Sequence, residues 1–211
     1  MSYQEVTARI EAAAQEAGRP ASDIALIVVS KGRPAAAIQS LYDAGHRDFG
    51  ENRAQELAAK APELPSDIRW HFVGPLQRNK VGLVRPLVER LHSLDSLRLA
   101  AAWVRGDEAA PPALLEINLA NEPQKHGFGV DEASSAVDEI IGLGVDLRGV
   151  MAIPPHGEPA SPYFRQLVDL RDRMAVNHPA LTEVSAGMTD DFEDAIRQGA
   201  TTIRVGRAIF E

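Results

Sequence analysis

Apolar residues recur along the chain in two alternating rhythms. Residues 4–17 place Val6, Ile10, Ala13, Ala14 and Ala17 at helical spacing, and Gly18 followed by Pro20 ends that helix. Ile24–Val29 is a short, β-branched run closed by Ser30-Lys31-Gly32. Pro34 opens a predicted helix that Ala35–Ala44 continues to Gly45. The same pairing then repeats. Strands are predicted at His46–Gly50, Ile68–Val73, Arg90–Ser93, Ala113–Leu119, Leu147–Ile153, Leu181–Ala186 and Thr201–Val205. Helices are predicted at Glu51–Ala61, Gln77–Val88, Asp95–Arg105, Asp131–Gly142, Pro162–Val176 and Asp190–Gln198, with a stub at Ala208-Ile209-Phe210.

Strands that alternate with helices imply a parallel sheet. Eight such units predict an α/β fold, a closed (β/α)8 barrel preceded by one extra helix. An open doubly wound sheet is the rival, but no G-x-G-x-x-G turn follows the first strand. Pro154–Pro162 reads as a loop because the rhythm resumes after it, so residues 1–211 are expected to form one domain.

Composition narrows the function. The chain has no cysteine, which removes disulfides, thiolate zinc sites and cysteine nucleophiles, and fits a reducing cytoplasm. Its net charge of −8 argues against nucleic acid as a partner. The first twenty residues include Glu5, Arg9, Glu11 and Glu16, so no signal-peptide core is expected, and no apolar run suits a membrane. His46, His71, His92, His126, His156 and His178 show no paired metal-ligand spacing, so no metal site is expected.

In a parallel barrel, chemistry gathers where strands run out into loops. Those ends offer Lys31, Glu51-Asn52, Gly74, Ser93 with Asp95, Asn118, Met151, Ser185 to Thr189, and Arg204 to Arg207. Lys31 emerges directly from Ala25–Ser30, where partial desolvation would favour the neutral amine that attacks a carbonyl. The competing reading is a lysine reaching water or pairing with Glu51. The loops Gly187-Met188-Thr189 and Gly206-Arg207 follow strands seven and eight, where barrels commonly hold phosphate. These glycines also serve as plain turn residues. Taken together, lysine and loops suggest a ligand bearing an aldehyde and a phosphate.

The segments Ile27–Lys31, Phe49-Gly50-Glu51-Asn52 with Gln55-Glu56, and Trp70–Gln77 with Asn79-Lys80 resemble the pyridoxal phosphate homeostasis protein family. So do His92-Ser93 with Asp95, Ile117-Asn118, Lys125 with Gly127, Arg148–Pro154, Gly187-Met188 with Asp190-Asp191, and Arg204-Val205-Gly206 with Ala208–Phe210. The matches span residues 26 to 210 in order. The resemblance implies a barrel like the N-terminal domain of alanine racemase that binds pyridoxal 5′-phosphate (PLP) as a Schiff base on Lys31. It places phosphate binding on Ser185, Gly187, Met188, Thr189, Gly206 and Arg207, and an arginine facing the pyridine nitrogen on Arg204. Asn52, His71, Asn118 and Met151 complete the expected cofactor site. The implied role is that of a carrier or regulator of cellular PLP, affecting amino-acid and keto-acid balance without established turnover. The chain is expected to be a cytoplasmic monomer with PLP-dependent apoenzymes as recipients. An amino-acid racemase or lyase is the alternative, and a lysine aldolase on a sugar phosphate a third reading.

A racemase needs a second base, which alanine racemase takes from a tyrosine of another subunit's C-terminal β-domain. The sequence runs out at Glu211, so no such domain is expected, and Tyr3, Tyr42 and Tyr163 are poor substitutes. The chain also departs from the family pattern. Ala186 stands where methionine is usual, Thr189 for serine, Arg207 for threonine, Arg53 for an aromatic and Glu211 for glycine. Several residues have plainer readings. His71 either lines the pocket or bonds a backbone carbonyl. Asn52 and Asn118 bond the ring or cap turns. Met151 packs in the barrel. Trp70 and Trp103 pack, and Asp190-Asp191 cap a helix.

Overall fold

The structure, a computed structural model, describes residues 1–210; the substitution noted at Glu211 lies outside them. Nine strands form: β1 Ala25–Val29, β2 Asp48–Glu51, β3 Arg69–Phe72, β4 Arg90–Leu94, β5 Ala113–Asn118, β6 Phe128–Gly129, β7 Leu147–Met151, β8 Glu183–Ser185 and β9 Thr202–Val205. All pair in parallel in the order β4-β3-β2-β1-β9-β8-β7-β5, and β4 also pairs with β5. Eight strands therefore close into a barrel, and the two-residue β6 hangs outside it on β5.

The helices are α1 Tyr3–Glu16, α2 Ala35–Asp43, α3 Ala54–Lys60, α4 Val81–Val84, α5 Leu97–Trp103, α6 Ala133–Gly142, α7 Ser161–Ala175, α8 Phe192–Gln198 and α9 Arg207–Phe210. They ring the barrel because each strand buries apolar side chains on its outer face. Val28, Phe49, Trp70, Phe72, Leu115, Ile117 and Val184 join one core with Ile38, Leu57, Leu99, Val137 and Leu167 of the helices. A second core lies under α1, where Val6, Ile10, Ala13 and Ala14 pack on Phe192, Ile196, Ile203 and Val205. The Ser2 hydroxyl accepts from Glu5 N–H and the Glu5 carboxylate accepts from Ser2 N–H, which fixes the start of α1.

Side chains alternate across each strand, so the residues between these outer positions point into the barrel. On that inner phase lie Ile27, Val29, Asp48, Gly50, His71, His92, Glu116, Ser185 and Arg204. The lumen is thus unusually polar for a packed barrel.

The structure corrects several expectations. Glu51 ends β2 instead of opening a helix, and α3 begins at Ala54. The helix expected over Gln77–Val88 is broken into a 3-10 turn at Arg78–Lys80, the short α4, and a second 3-10 turn at Arg85–Leu87. Pro86 supplies no N–H and Gly82 weakens the helix, which accounts for the break. β8 is three residues long where a six-residue run was expected. β6 has no apolar run to announce it.

Candidate functional site at the barrel mouth

Lys31 stands just past the end of β1, and its side chain is exposed, not partly desolvated as expected. No hydrogen bond or ion pair reaches its amine among the described residues. Its foundation, in contrast, is tightly held. The Lys60 ammonium donates to Ser30 O at 2.8 Å, Glu51 Oε1 at 2.7 Å and Glu56 Oε1 at 2.6 Å. Ser30 Oγ donates to the same Glu51 oxygen at 2.8 Å, and Gly32 N–H donates to Glu56 Oε1 at 2.5 Å. Glu51 therefore pairs with Lys60, not with Lys31. Gly32 takes φ +71°, a left-handed turn that glycine enters without strain. The knot fixes the backbone on both sides of Lys31 and leaves the amine free.

Inside the barrel runs a hydrogen-bonded chain of five side chains. Arg204 Nη1 donates to Ser185 Oγ at 2.6 Å. Ser185 Oγ is 2.9 Å from His92 Nδ1, His92 Nε2 is 3.0 Å from His71 Nδ1, and His71 Nε2 is 3.2 Å from Asp48 Oδ1. A guanidinium can only donate and an ionised carboxylate can only accept, so with one proton on each ring the chain runs one way, from Arg204 to Asp48. Ser185 accepts from Arg204 and donates to His92 Nδ1; His92 Nε2–H donates to His71 Nδ1; His71 Nε2–H donates to Asp48. Burial holds His92 well below its usual pKa, and the nearby His71 and Arg204 push the same way, so it is neutral. Burial alone would raise Asp48, but bonds from His71 and Arg69 outweigh it and hold the carboxylate ionised. Arg204 is lowered to about 10 by burial, opposed by Glu116 and Asp191, and stays protonated at neutral pH. Its Nη2 donates to Ala152 O at 3.0 Å.

Both ring nitrogens of His71 are thus committed to side chains within the barrel, His92 and Asp48, and neither bonds a backbone carbonyl. Asn118 is likewise committed. Its Nδ2 donates to Glu122 O at 2.9 Å and its Oδ1 accepts from Glu122 N–H at 3.0 Å, which is the turn-capping alternative. Asn52 differs, because its buried Oδ1 has no partner. Glu116 Oε2 is also buried without a partner, and burial together with Asp95 raises that carboxyl to about 7. Sequence reading did not single out Glu116, although a glutamate between Leu115 and Ile117 on a strand marks a lumen position. Met151 is buried at the end of β7.

The loop after β9 sits against the end of β1, and the loop after β8 sits against α8. A Cβ on Gly206 would come within 2.7 Å of Val29 O, so only glycine lets this loop approach so closely. Gly187 takes φ +89°, and a Cβ there would meet Ala195 Cβ at 2.6 Å. The N–H groups of Thr189, Arg207 and Ala208 find no acceptor among the described residues. Met188 N–H is taken by Asp191 Oδ1 at 2.6 Å, so Asp191 closes the loop instead of capping α8 with its side chain. The exposed Arg207 guanidinium lies 3.5 Å from Asp190 Oδ2.

The three tyrosine hydroxyls are engaged elsewhere. Tyr3 meets His46 Nδ1, Tyr42 donates to Asp67 and Tyr163 donates to Glu158. Among the described residues no group of three His, Asp or Glu is placed to hold a metal ion, and no helix is long and apolar enough to cross a membrane.

Comparison with known proteins places this arrangement. A family profile described as alanine racemase, N-terminal domain, matches residues 1–211. The chain is 40% identical over 223 residues to the pyridoxal phosphate homeostasis protein of Escherichia coli, covering 98% of this chain and 93% of that one. The solved structure of PipY from Synechococcus elongatus with PLP bound superposes with a TM-score of 0.80 at 34% identity, covering 96% of this chain and 100% of that one. Alanine racemase from Corynebacterium glutamicum shares the fold, with a TM-score of 0.65 at 15% identity over 99% of this chain and 61% of that one. On this evidence the chain belongs to the alanine racemase N-terminal domain family and, within it, to the pyridoxal phosphate homeostasis proteins.

Proposed function

We propose that this protein binds PLP at the barrel mouth as a Schiff base on Lys31 and serves the balance of that cofactor in the cytoplasm, influencing amino-acid and keto-acid levels. One observation carries the reading: Lys31 is an amine on a rigid base with no partner among the described residues, and the glycine loops after β9 and β8, the next two strands of the barrel, have free N–H groups. The residues present fit the cofactor. Lys31 can take the aldehyde carbon, its two N–H protons leaving with the carbonyl oxygen as water. The N–H groups of Thr189, Arg207 and Ala208, beside Gly187 and Gly206, suit the phosphate. Ser185 and Met188 N–H have internal partners, so they frame the loop instead of gripping the anion. Asn52 Oδ1 has no partner among the described residues.

When bound, PLP supplies an aldehyde that captures amines and a ring that withdraws electrons. Arg204 limits the second property. A protonated guanidinium can meet a ring nitrogen only as a donor, so the nitrogen stays unprotonated and withdraws fewer electrons. The structure of PipY with PLP bound, and the name of the Escherichia coli relative as a pyridoxal phosphate homeostasis protein, support the reading. We take the protein to act as a monomer that passes PLP to apoenzymes. Glu116, a carboxyl titrating near neutrality beside the mouth, favours an amino-acid racemase or lyase as the second reading.

Borohydride reduction of PLP-loaded protein, followed by peptide mass spectrometry, tests the site. The adduct is expected on Lys31; an adduct only on Lys80 or Lys125, or none, overturns the assignment. Exchange of amino-acid α-protons into heavy water, measured by NMR, separates carrier from enzyme. No exchange beyond that of free PLP is expected.

A further inference from the structure

A groove of about 1120 Å³ opens beside the mouth, between the end of β2, the 3-10 turn at Arg78–Lys80 and α5. Its walls carry Arg53, Arg78, Lys80, Arg98 and Arg105. None of these five cations makes a side-chain hydrogen bond or ion pair among the described residues. The one carboxylate in the lining, Asp95, is engaged by Ser96 Oγ at 2.9 Å and by His126 at 3.4 Å. This concentration of positive charge belongs to a protein whose net charge is −8.

Other clefts of the molecule treat their cations differently. Arg85, in a cleft with Asp107 and Glu108, is spent on the carbonyls of Arg105 and Glu108. Lys125, in a cleft with Asn121 and Glu132, is spent on Glu122 and on the carbonyls of Ile153 and Pro154. Of these three clefts, the groove beside the mouth is the one whose cations have no internal partner among the described residues. Four of the five are exposed, and like charges gathered on one surface around a single, already engaged carboxylate repel one another, so the arrangement suits an anionic occupant.

The shape narrows the occupant. Arg98 stands in the first turn of α5 and Arg105 two residues past its end, so the helix sets them apart by roughly 10 Å, and Ala101 and Ala102 lie between them. The volume exceeds the ~300–1,000 Å³ of ordinary small-molecule sites. Charges spread over such a length fit carboxylates distributed along a chain better than one compact phosphate. The lining holds no Phe, Tyr or Trp on which a nucleic-acid base could stack. Leu76, Pro75 and the two alanines give the floor an apolar surface for aliphatic side-chain stems.

We propose that this groove docks an acidic, extended polypeptide segment of a partner protein, immediately beside the barrel mouth. The inference stands apart from cofactor binding, since none of the five cations belongs to the PLP site.

Fluorescence anisotropy with a labelled, glutamate-rich peptide of about twelve residues tests it, with the Gln-for-Glu version of the same peptide as control. The acidic peptide is expected to bind and the Gln peptide to bind on the order of tenfold more weakly, with salt reducing the difference. Arg98→Glu/Arg105→Glu is expected to weaken the acidic peptide on the order of tenfold. Arg78→Glu/Lys80→Glu, on the opposite wall, is expected to act alike, which guards against misfolding of one variant. Arg148→Glu, outside the groove, should leave binding unchanged. No binding of the acidic peptide, equal binding of both peptides, or binding unaffected by both wall variants overturns the proposal. So does stronger, groove-dependent binding of inorganic triphosphate or an oligothymidylate than of the peptide. Visible absorbance of the PLP-loaded wall variants reports the cofactor site separately, so failure of one reading is distinguishable from failure of the other.

Discussion

Lys31 and Lys60 are the same residue type in opposite surroundings. Lys60 is buried, and all three ammonium protons have acceptors: Ser30 O, Glu51 and Glu56. Lys31 is exposed and has none. The buried lysine is consumed in fixing the turn from which the exposed one projects. Its partners reach Ser30 on one side of Lys31 and Gly32 on the other. Burial, which the sequence suggested as the reason Lys31 would be reactive, therefore acts on its support and not on the amine itself. A reactive group here is one whose polar capacity the fold has left unspent.

The largest expected effect is Lys31→Ala. It should abolish the visible band of the PLP-loaded protein while leaving the thermal midpoint close to that of the parent, because Lys31 makes no contact that the fold uses. A retained band, or a collapse in stability, breaks the comparison from the Lys31 side. Lys60→Met should do the reverse. Removing the cation leaves Glu51 as an uncompensated buried charge, with Oε2 already unpartnered. Breaking a buried pair in this way costs about 3–5 kcal/mol, or roughly 10 °C in a chain of this size. Scanning calorimetry reads that loss, and PLP titration should show weakened uptake as the Ser30–Gly32 turn loosens. An unchanged midpoint would mean the knot is ornamental.

Glu116 and Glu51 make a smaller version of the same contrast, since both carboxyls are buried and only Glu51 has a lysine. Glu116 is raised from 4.5 to about 7, chiefly by burial. Between those values the folded chain holds a proton that the unfolded chain has released, so stability falls as pH rises through the window. Below pH 4.5 the stabilisation is fully present; above about 7 it is gone. The full effect is about 3 kcal/mol. Glu51 and Asp191 are raised as well and add slopes of the same sign, so the difference between parent and Glu116→Gln isolates Glu116. Chemical denaturation at several pH values between 4.5 and 8 should show a flatter profile for Glu116→Gln, and parallel profiles would refute the shift.

Much of this was legible in the chain, and the limits have physical causes. Strands such as Ile27–Val29 and Trp70–Phe72 announce themselves because their outer faces must meet helices and so carry bulky apolar residues. The Lys31 position and the Gly187 and Gly206 loops follow from the barrel's geometry once eight units are counted. Lys60 was not legible, because a lysine in the last turn of a helix looks like a solvated residue, and its carboxylate partners come from β2 and α3. The lumen chain escaped for a related reason: Asp48, His71, His92, Ser185 and Arg204 have no common spacing in sequence. A usable signal did exist. Each of His71, Ser185 and Arg204 is a lone polar residue between apolar or small strand neighbours, which is how an inward position looks in a barrel whose outside is buried.

That chain yields the smallest and most specific prediction. Ser185 is its only hydroxyl, and it carries the direction of hydrogen bonding from Arg204 to the histidines. Ser185→Ala removes one acceptor from Arg204 and one donor from His92, both buried. The lost bonds should cost about 1–3 kcal/mol, less than Lys60→Met, because Arg204 keeps Ala152 O and His92 keeps His71. The diagnostic reading is the tautomer. In the parent, His92 must carry its proton on Nε2 and accept on Nδ1, and His71 must do the same so that Nε2–H meets Asp48. Without Ser185, nothing donates to His92 Nδ1, yet His71 Nδ1 still requires the His92 Nε2–H, so the tautomer is held from the Asp48 end. Nitrogen NMR of the imidazoles should therefore show the Nε2–H tautomer of His92 in both proteins, with the Nδ1 signal of the variant moving to that of a nitrogen that accepts no hydrogen bond, while His71, still tied to Asp48, changes less. An Nδ1–H tautomer of His92 in the parent, or an Nδ1 signal that does not move in the variant, would show that Ser185 does not donate to His92 and would break the directed chain.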